Sequence, residues 1–405
     1  MKFTISLDIL KNELKRATPF TGGRTTLPIL ANVHINADME SNLVCMTATN
    51  LDSESVSYFN AEVNESGETT INARCLQQVL DNIKVKEISL ECVNDNPNTT
   101  IKYGRSSVLL LGLPVKDFPK FLLDGEIKQE VNIYAHDFFS LLKSVKISMA
   151  YDNSKVFMNG VHFIFDMPEG KVIAEATNGY IFTKSKLEIS ERGEKKMDFI
   201  IPAKVVDSID ESIFGSDEKL KVLHWMNCIE FVGEKTRFAC KFVRADFPDT
   251  TKFTPNVATY HKIEINRKLF LEKINLIRAF CDEHHPGVII HLTRKDMKFT
   301  VESASKGAVD DFIEFENEIE TVKPDEIVKV KINSVFAHTV LKSGKSSEIT
   351  VMLKSPTTPI VLREHDIDTF SVLMPMFKRE PAPAPAAATT PASDAQPAAA
   401  EQEKK

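Results

Sequence analysis

The sequence predicts an α+β protein made of three repeated domains, each with antiparallel sheet and two helices. One series of amphipathic segments starts at residues 5, 133 and 265, and a second series starts at residues 71, 201 and 332. Both series recur at intervals close to 130 residues, which is the length of a domain. Between them the sequence alternates apolar and polar residues, as half-buried strands do.

Helical periodicity is clearest in residues 133–148 (IYAHDFFSLLKSVKIS). The apolar residues of this segment are spaced three and four apart and so share one face: Phe138, Leu141, Leu142 and Val145. The same pattern predicts helices over residues 6–18, 72–84, 134–148, 202–213, 265–280 and 332–344. Such helices bury their apolar faces against a sheet and leave their basic faces outward.

Hairpins are predicted at corresponding places in the three repeats, over residues 42–59, 171–187 and 297–315. The first hairpin turns at Asn50 and Leu51. Ala-Thr-Asn occurs at residues 48–50 and again at 176–178, whereas the third hairpin lacks it. The shared pattern indicates that the repeats have a common fold.

Domain boundaries are expected near residues 126 and 256. Asp-Phe-Pro, at residues 117–119 and 246–248, marks the last part of the first two repeats. The predicted domains are residues 1–126, 127–256 and 257–378. Residues 379–405 contain ten Ala and five Pro but no aromatic residue, Leu, Ile or Val. Because this segment has too little apolar surface to order itself, we expect a disordered tail rich in Ala and Pro.

Charge and composition narrow the class of function. The net charge of −7 argues against a uniformly cationic nucleic-acid binder. The six predicted helices carry a net +5, however, which leaves −12 on the rest of the chain. One face is therefore suited to a polyanion. The sequence has no run of 18 apolar residues, no signal-peptide core and no CxxC among its six cysteines, so we expect a cytoplasmic protein with buried, reduced thiols and no membrane partner.

Catalytic and metal-binding signatures are weak. The sequence shows no Ser–His–Asp signature, no phosphate-binding loop and no dinucleotide fingerprint. One cluster of possible ligands is formed by Asp282, Glu283, His284 and His285, but its spacing does not fit a helical two-histidine metal motif. We interpret it as an exposed polar loop and expect no cofactor, no metal and no catalysis. An enzyme built around this cluster is one alternative.

Five segments, in order, carry a resemblance to a known family. They are residues 22–30 (GGRTTLPIL), 149–160 (MAYDNSKVFMNG), 177–180 (TNGY), 247–255 (FPDTTKFTP) and 372–376 (VLMPM). With the threefold repeat, they make residues 1–378 resemble the β sliding clamp family of bacterial DNA polymerase III. The resemblance implies the DNA clamp fold and a head-to-tail homodimer whose six domains form a ring around duplex DNA. It also implies a non-catalytic processivity factor that binds the polymerase catalytic subunit, the clamp loader and other proteins with a clamp-binding motif.

A ring of this kind agrees with the predicted helices. Two copies bring twelve helices, which at roughly 9 Å between axes span a circumference of ~110 Å and a diameter of ~35 Å. Subtracting about 5 Å of helix on each side leaves an opening of ~25 Å, wider than duplex DNA. A loose cationic lining attracts phosphates independently of base sequence and permits sliding.

The predicted DNA-facing residues are cations of the helices together with one residue from each of two loops. They are Lys11, Lys15, Arg16, Arg24, Arg74, Lys143, Lys146, Phe157, Lys204, Lys273, Arg278 and Lys342. Arg24 lies in the Gly-Gly loop and Phe157 at the end of the loop that starts at Met149, and both are implied by the resemblance. The alternatives are solvated helix faces and a plain Gly-Gly turn. Asp207, Asp210 and Glu211 make the fourth helix acidic, which argues against its contacting DNA.

The resemblance also implies a pocket between the second and third domains. In the family this pocket takes a short peptide with a glutamine followed by leucine-like and phenylalanine anchors. The matching residues are Met158, Thr177, Gly179, Tyr180, Phe182, Pro248, Lys252, Phe253, Asn333, Phe336, Val372, Met374, Pro375 and Met376. Methionines and aromatic residues suit an adaptable apolar cleft, and Thr177 and Asn333 are expected to add polar contacts. The alternative is ordinary core.

Two departures bear on this pocket. Ile181 stands where the family usually has a basic residue, and Phe377 and Lys378 replace its usual basic–apolar ending, so the peptide preference is left open. The tail follows the pocket closely, but Gln396 is followed by Pro397 and alanines without a Leu or Phe anchor. We therefore expect the tail not to dock in the pocket.

The resemblance places the dimer interface on two elements. These are an edge strand with Val108 and Leu110, and the fifth helix with Ile277, Ala279 and Phe280. Pairing with a second copy would remove the aggregation hazard of an apolar edge strand. The alternative for Val108 and Leu110 is a buried internal strand. For the protein as a whole, the alternative is a β-rich peptide-binding scaffold that never encloses DNA.

Overall fold

A computed structural model describes residues 1–23, 26–93, 96–123, 125–252 and 254–376. Arg24, Phe253, the side chain of Lys252 and residues 379–405, on which predictions were made, lie outside this described part. Within it the chain forms six α-helices and 25 β-strands in three successive sets. Each set runs strand, helix, four strands, helix, three strands, and the first set has one additional strand.

The first set contains the following elements: β1 (Lys2–Ser6), α1 (Leu7–Ala17), β2 (Asn32–Asp38), β3 (Leu43–Thr49), β4 (Ser53–Asn60), β5 (Glu62–Glu65), β6 (Gly67–Asn72), α2 (Ala73–Asn82), β7 (Glu87–Cys92), β8 (Thr99–Tyr103) and β9 (Ser106–Leu110). The predicted hairpin corresponds to β3 and β4. Leu51 adopts a positive φ of 73° in its turn. The hairpin prediction is therefore confirmed.

The second set contains β10 (Gln129–Tyr134), α3 (Ala135–Val145), β11 (Gly160–Asp166), β12 (Lys171–Thr177), β13 (Ile181–Glu188), β14 (Lys196–Pro202), α4 (Ala203–Ser208), β15 (Lys219–His224), β16 (Cys228–Val232) and β17 (Thr236–Lys241). The third contains β18 (His261–Asn266), α5 (Arg267–Phe280), β19 (Gly287–Leu292), β20 (Asp296–Ser303), β21 (Gly307–Glu314), β22 (Val328–Asn333), α6 (Ser334–Ser343), β23 (Glu348–Leu353), β24 (Ile360–Glu364) and β25 (Asp368–Leu373).

The strands of the described residues form four sheets. A five-stranded sheet has the order β5-β1-β7-β8-β9, and a four-stranded sheet has the order β21-β20-β19-β22. The two eight-stranded sheets have the orders β10-β15-β16-β17-β4-β3-β2-β6 and β14-β11-β12-β13-β25-β24-β23-β18. Each eight-stranded sheet crosses from one set to the next, because β17 pairs with β4 and β13 pairs with β25, both antiparallel. Backbone hydrogen bonds therefore join successive sets.

The helices pack on these sheets through the faces that the sequence predicts. Phe138, Leu141, Leu142 and Val145 of α3 are all buried. The ring of Phe138 lies 5.0 Å from that of Phe163 and 4.6 Å from that of Phe231. The core of this set is therefore built around the apolar face of α3.

The helix predicted over residues 202–213 is shorter than expected. α4 ends at Ser208, and Glu211–Ile213 forms a separate 3₁₀ turn. The Ser208 hydroxyl donates to the Lys204 carbonyl, and the Asp210 carboxylate accepts from the Ser212 amide. Such local side-chain bonds compete with the helical pattern, which explains why this helix stops early.

The helices form one continuous series, α2–α1–α4–α3–α6–α5. α1 packs on α2, and α5 packs on α6. α4 contacts the 3₁₀ turn that follows α1, and the turn after α4 contacts α3. Between α3 and α6, the Lys345 Nζ donates to the Ser140 Oγ at 2.8 Å. No helix of the described residues is long and apolar enough to cross a bilayer.

All six cysteines belong to the described part of the chain and are free thiols. Cys92, Cys228, Cys240 and Cys281 are buried, as expected, whereas Cys75 on α2 is exposed. The expectation of burial is therefore wrong for Cys75.

Candidate functional site

The junction between the second and third sets carries an apolar cluster of its own. Phe182 on β13 is paired with Val372 on β25, and the ring of Phe182 meets that of Phe370 edge-on at 6.1 Å. Tyr260, Met352 and Val361 complete this buried cluster, which is separate from the two larger cores. It forms the floor of the predicted pocket.

Exposed aromatic and methionine side chains lie beside this floor. The rings of Tyr180 and Phe336 stack 5.7 Å apart, and Tyr180 is 63% exposed. The Met374 amide donates to the Tyr180 carbonyl at 2.9 Å, and the Met376 amide donates to the Lys331 carbonyl at 2.7 Å. These bonds hold residues 374–376 between the β12–β13 turn and β22, the strand that leads into α6, so three separated stretches of sequence meet here.

The β12–β13 turn is closed by its own polar groups. Gly179 has a φ of +90°, which favours glycine, and a Cβ there would lie 3.9 Å from the Met158 Cε. The Thr177 hydroxyl donates to the Ile181 carbonyl at 2.8 Å and accepts from the Gly179 amide at 3.1 Å. Ile181 is itself buried in the core of the third set. Thr177 therefore shapes the turn, and its contact with a peptide stays a prediction.

Asn333 also has a structural role that the sequence analysis missed. It is the N-cap residue of α6, and its side-chain oxygen accepts from the amides of Val335 and Phe336 at 2.9 and 3.4 Å. An N-cap asparagine satisfies amides that a helix leaves free. The Asn333 oxygen therefore positions Phe336, and the contact of the Asn333 side chain with a peptide stays a prediction.

A strap, defined as residues 246–252, forms the remaining side of the site and carries Pro248. The ring of Phe247 stacks on that of His162 at 4.6 Å. The Thr250 hydroxyl donates to the Glu175 carboxylate at 3.0 Å. Burial alone would raise the pKa of Glu175, but a hydrogen bond from His162 and the Lys184 ammonium outweigh it and lower that pKa.

The predicted DNA-facing cations differ in their accessibility. Lys15, Arg74, Lys143, Lys204 and Lys342 are exposed, whereas Lys11, Arg16, Lys146, Lys273 and Arg278 are half-buried. The Lys273 Nζ lies 2.8 Å from the Asp311 Oδ1 in a partly buried ion pair. Because this carboxylate partly neutralises Lys273, its contact with DNA stays a prediction that we do not carry into the assigned surface.

At two places on the helix series, charged side chains lie close enough to a titratable group to change its pKa. Burial, followed by the nearby Arg278 and Lys342, lowers the pKa of His338. A hydrogen bond from Ser212 lowers the pKa of Asp210, and Lys15 and Lys146 lower it further. Two cations, Arg278 and Lys342, therefore lie close together at the α5–α6 end of the series, whereas Asp210 partly neutralises the face near α4.

Phe157 occupies a different environment from the predicted one. Its half-buried ring meets the Phe247 ring edge-on at 5.5 Å. Its loop neighbours Tyr151 and Val156 are more exposed. Phe157 thus supports the strap, and its contact with DNA stays a prediction.

The two elements predicted for the dimer interface lie at or beside the ends of sheets. β9 ends the five-stranded sheet, and α5 packs against β21, which ends the four-stranded sheet. Val108 and Leu110 are half-buried, whereas Leu109 between them is 60% exposed. A groove of about 430 Å³ runs beside β9 and is lined by residues that include Cys75, Val79, Val108 and Leu110.

Ile277 does not belong to the exposed surface of α5. It is fully buried with Phe270 and Ile274 in the core of the third set. Leu276 is exposed instead, Ala279 is exposed and Phe280 is half-buried. The helical spacing of the three buried residues already places Leu276 on the other face, so this residue was recognisable from the sequence.

The cluster at residues 282–285 forms a hydrogen-bonded turn. The Asp282 carboxylate accepts from the Ser303 and Ser305 hydroxyls at 2.7 and 2.9 Å, and these bonds lower its pKa. Within the described residues, no three His, Cys, Asp or Glu side chains converge as metal ligands.

Comparison with known proteins places this architecture. Residues 1–123 match the family model of the DNA polymerase III beta subunit, N-terminal domain, and residues 132–249 match that of its central domain. The chain belongs to the DNA polymerase III beta subunit family. Relatives include the beta sliding clamp of Rickettsia felis, 24% identical with 93% of this chain and 99% of the relative covered. The beta sliding clamp of Escherichia coli is 24% identical, with 93% and 100% covered.

Solved structures of beta clamps share the fold. A sliding clamp from Pseudomonas aeruginosa superposes with a TM-score of 0.85 at 21% identity, covering 93% of this chain and 100% of that one. The Helicobacter pylori beta clamp, solved with a DNA ligase peptide, gives a TM-score of 0.82 at 19% identity with the same coverage. The DNA clamp fold predicted from the sequence is therefore confirmed.

Proposed function

We propose that this chain is a DNA sliding clamp. Two copies close head to tail into a ring around duplex DNA, and the ring holds the replicative polymerase and other partners by peptide capture without catalysing a reaction. The observation that carries this proposal is the repeated junction. β17 pairs with β4 and β25 pairs with β13, and the corresponding strands left at the ends of sheets are β9 and β21. A second copy supplies the third junction.

The internal junctions also specify the register of that third junction. Ser53 faces Cys240 in the first, and Ile181 faces Leu373 in the second. The repeats can be aligned by starting at the residue before each helix and following the paired strands from there. In this alignment, Gly307 of β21 corresponds to Ser53 of β4 and to Ile181 of β13. Leu110 of β9 corresponds to Cys240 of β17 and to Leu373 of β25. In the dimer Leu110 therefore faces Gly307, Leu109 faces Ala308 and Val108 faces Val309.

Side-chain chemistry at this seam is complementary. The same register places Ser107 opposite Asp310 and Ser106 opposite Asp311, so each hydroxyl can donate to a carboxylate. Pairing with β21 satisfies the free backbone groups of β9, which removes an aggregation-prone edge, and places the exposed Leu109 beside Ala308. The groove beside β9 lies where an apolar side chain of the second copy's α5, such as Leu276, can enter.

The helix series supplies the DNA-facing surface. Its exposed cations attract phosphates without reading bases, so the ring is retained on DNA yet free to slide. Lys15, Arg74, Lys143, Lys204 and Lys342 are the cations we assign to this surface. The acidic residues near α4 keep the attraction moderate there.

The junction pocket supplies the partner site. Phe182 and Val372 form its floor, and Tyr180, Phe336 and Met374 offer apolar surface above it. A peptide with leucine-like and phenylalanine anchors has the shape and polarity for this surface. The Helicobacter relative solved with a DNA ligase peptide supports this assignment.

Retention on closed DNA tests the proposal. Protein loaded on nicked circular plasmid by a clamp loader is expected to stay bound through gel filtration and to dissociate when the plasmid is linearised. A scaffold that never encloses DNA would behave alike on circular and linear plasmid, and that outcome would refute the ring. In parallel, Phe336→Ala is expected to abolish peptide binding while leaving retention on the circle unchanged.

A further inference from the structure

A polar side chain of the strap, Thr250, meets three polar side chains from separate strands of the sheet. The Glu175 Oε2 accepts from the Thr250 hydroxyl at 3.0 Å and lies 3.0 Å from the Lys184 Nζ. The same Lys184 Nζ donates to the Thr250 Oγ1 at 3.1 Å, and His162 Nδ1 lies 3.0 Å from the Glu175 Oε1. Glu175 is only 2% exposed. One buried carboxylate therefore binds a cation, an imidazole and the strap at once.

The strap is fixed on both sides of Pro248. On one side Phe247 stacks on His162, and the Nδ1 of that same imidazole is hydrogen-bonded to Glu175. On the other side Thr250 is bonded directly to Glu175, and its carbonyl accepts from the Thr254 amide at 3.2 Å. Because both attachments lead to Glu175, the position of this pocket wall depends on that carboxylate.

The first set provides an internal comparison, because it has the same strap sequence at its own junction. Its Asp-Phe-Pro segment also places a ring on a histidine, with Phe118 5.3 Å from His34. Matching the ladders and the Asp-Phe-Pro segments puts Thr47 at the position of Glu175, Val56 at that of Lys184 and Phe121 at that of Thr250. The ring contact recurs in both sets, whereas this polar network does not.

The floor differs between the two junctions in the same way. At the first junction, Glu54 and Arg237 form an ion pair at the positions that Phe182 and Phe370 occupy at the second. The strap of the first set is bound to a buried carboxylate as well, because the Phe121 amide donates to Glu54, but that carboxylate belongs to the ion-paired floor itself. At the second junction the anchor, Glu175 with Thr250 and Lys184, lies outside the floor, which leaves that floor apolar for the anchors of a peptide.

We propose that Glu175, Lys184 and Thr250 are positioning residues of the peptide pocket, which hold the strap and Pro248 in the binding geometry before a peptide arrives. This inference rests on the proposed peptide-capture function. A wall that is fixed in advance spares the peptide the entropy of ordering it, so loosening the wall weakens binding. None of these three residues needs to touch the peptide.

Thr250→Val tests the inference, because it keeps the shape of the side chain and removes its hydroxyl. The probe is a fluorescein-labelled synthetic peptide with glutamine, leucine and phenylalanine anchors, titrated into the full-length protein. We expect binding about tenfold weaker, equivalent to about 1.4 kcal/mol. Thr250→Ser restores the hydroxyl and is expected to bind within about twofold of the unchanged protein. Hydrogen exchange at the Thr254 amide should quicken in Thr250→Val only.

Thr99→Val is the matched control. The Thr99 hydroxyl lies 2.9 Å from that of Thr69 in a fully buried pair of the first set, remote from the strap. This variant should be destabilised to a comparable degree and keep its peptide affinity. Should Thr250→Val fail to fold, Phe247→Leu loosens the other attachment, at the His162 stack, and is expected to weaken binding in the same direction.

The outcomes separate this inference from the proposed function. Suppose that Phe336→Ala abolishes peptide binding, as the pocket assignment requires. Unchanged affinity in Thr250→Val then overturns the positioning role. If Thr250→Val does not fold, unchanged affinity in Phe247→Leu overturns it instead. Equal loss of affinity in Thr99→Val also overturns it, because the effect would then follow stability alone. If Phe336→Ala binds the peptide normally, the pocket assignment itself fails.

Discussion

Arg237 on β17 lies with its Nη2 3.1 Å from the Oε2 of Glu54 on β4, and so joins the second set to the first across their shared sheet. Its Nη1 lies 2.8 Å from the Glu230 Oε1. Both carboxylates are buried. Burial raises the pKa of Glu54, and the Arg237 guanidinium offsets this only in part. The junction thus depends on one cation shared by two buried acids.

Arg237→Met is expected to destabilise the protein by about 3 kcal/mol, because it leaves two buried carboxylates without their cation. Urea denaturation measures this change. Lys241→Met is the matched control, since the Lys241 Nζ pairs with Asp52 at 3.2 Å across the same junction but at an exposed position. We expect this control to change stability by less than about 0.5 kcal/mol. Equal destabilisation in the two variants would contradict the importance of burial.

Phe138→Ala should cost about 3–5 kcal/mol, because it opens a cavity between the rings of Phe163 and Phe231. Thermal or urea unfolding measures the change. Ile327→Ala removes a side chain that is more than half exposed and should cost less than about 1 kcal/mol. A small effect of Phe138→Ala would mean that α3 is not the centre of this core.

The pH dependence of stability should report Glu175. Its pKa in the folded protein is lowered from the ordinary 4.5, so the ionised carboxylate stabilises the fold above pH 4.5. That contribution disappears as the pH falls from 4.5 through the lower folded pKa. Glu175→Gln should therefore show a smaller decrease of melting temperature over this acid range. Parallel pH curves for the two proteins would contradict the ionised network.

Retention on circular DNA should depend more on Lys143 than on Lys146. Lys143 is exposed, whereas Lys146 is half-buried and close to Asp210. Lys143→Glu is expected to shorten the lifetime on nicked plasmid more than Lys146→Glu, and to lower the salt slope by about 0.9 for each phosphate that is no longer neutralised. Lys262→Glu, on β18 outside the helix series, should change neither quantity. The reverse ranking would show that the helix face does not bind DNA as assigned.

The register of the dimer seam can be tested by cross-linking. In a Cys75→Ser background, Leu109→Cys with Ala308→Cys should form an intermolecular disulfide under mild oxidation, seen on a non-reducing gel. The control moves the second cysteine by one residue, as Leu109→Cys with Val309→Cys. The two cysteines then lie on opposite faces of the sheet, so this pair should cross-link poorly. Preferential cross-linking of the shifted pair would disprove the register.

The sequence predicted what depends on local periodicity. The spacing of Phe138, Leu141 and Val145 identifies the buried face of α3, and the turn at Leu51 follows from the alternation around it. The same rule, applied to Phe270, Ile274 and Ile277, would have identified Leu276 as the exposed residue of α5. That error came from carrying over a family position without checking its helical phase.

Other features depend on interactions that no local pattern reveals. The side chain of Asn333 could by its chemistry bind a peptide, but its position directly before α6 makes it the N-cap of that helix. The Glu175 network joins His162 to Thr250 through sheet register, across 88 residues of sequence. The end of α4 is decided by competition between side-chain and backbone bonds at Ser208 and Asp210. Each of these required the tertiary structure.

The two eight-stranded sheets have a mechanical consequence. Since successive sets are joined by ladders of backbone hydrogen bonds, bending between them would have to break those ladders. A ring made of two such halves parts most readily where β9 of one copy meets β21 of the other, because no peptide bond crosses there. Admission of DNA is thereby confined to the seams between copies, and the strength of one short strand pair sets how readily the gate opens.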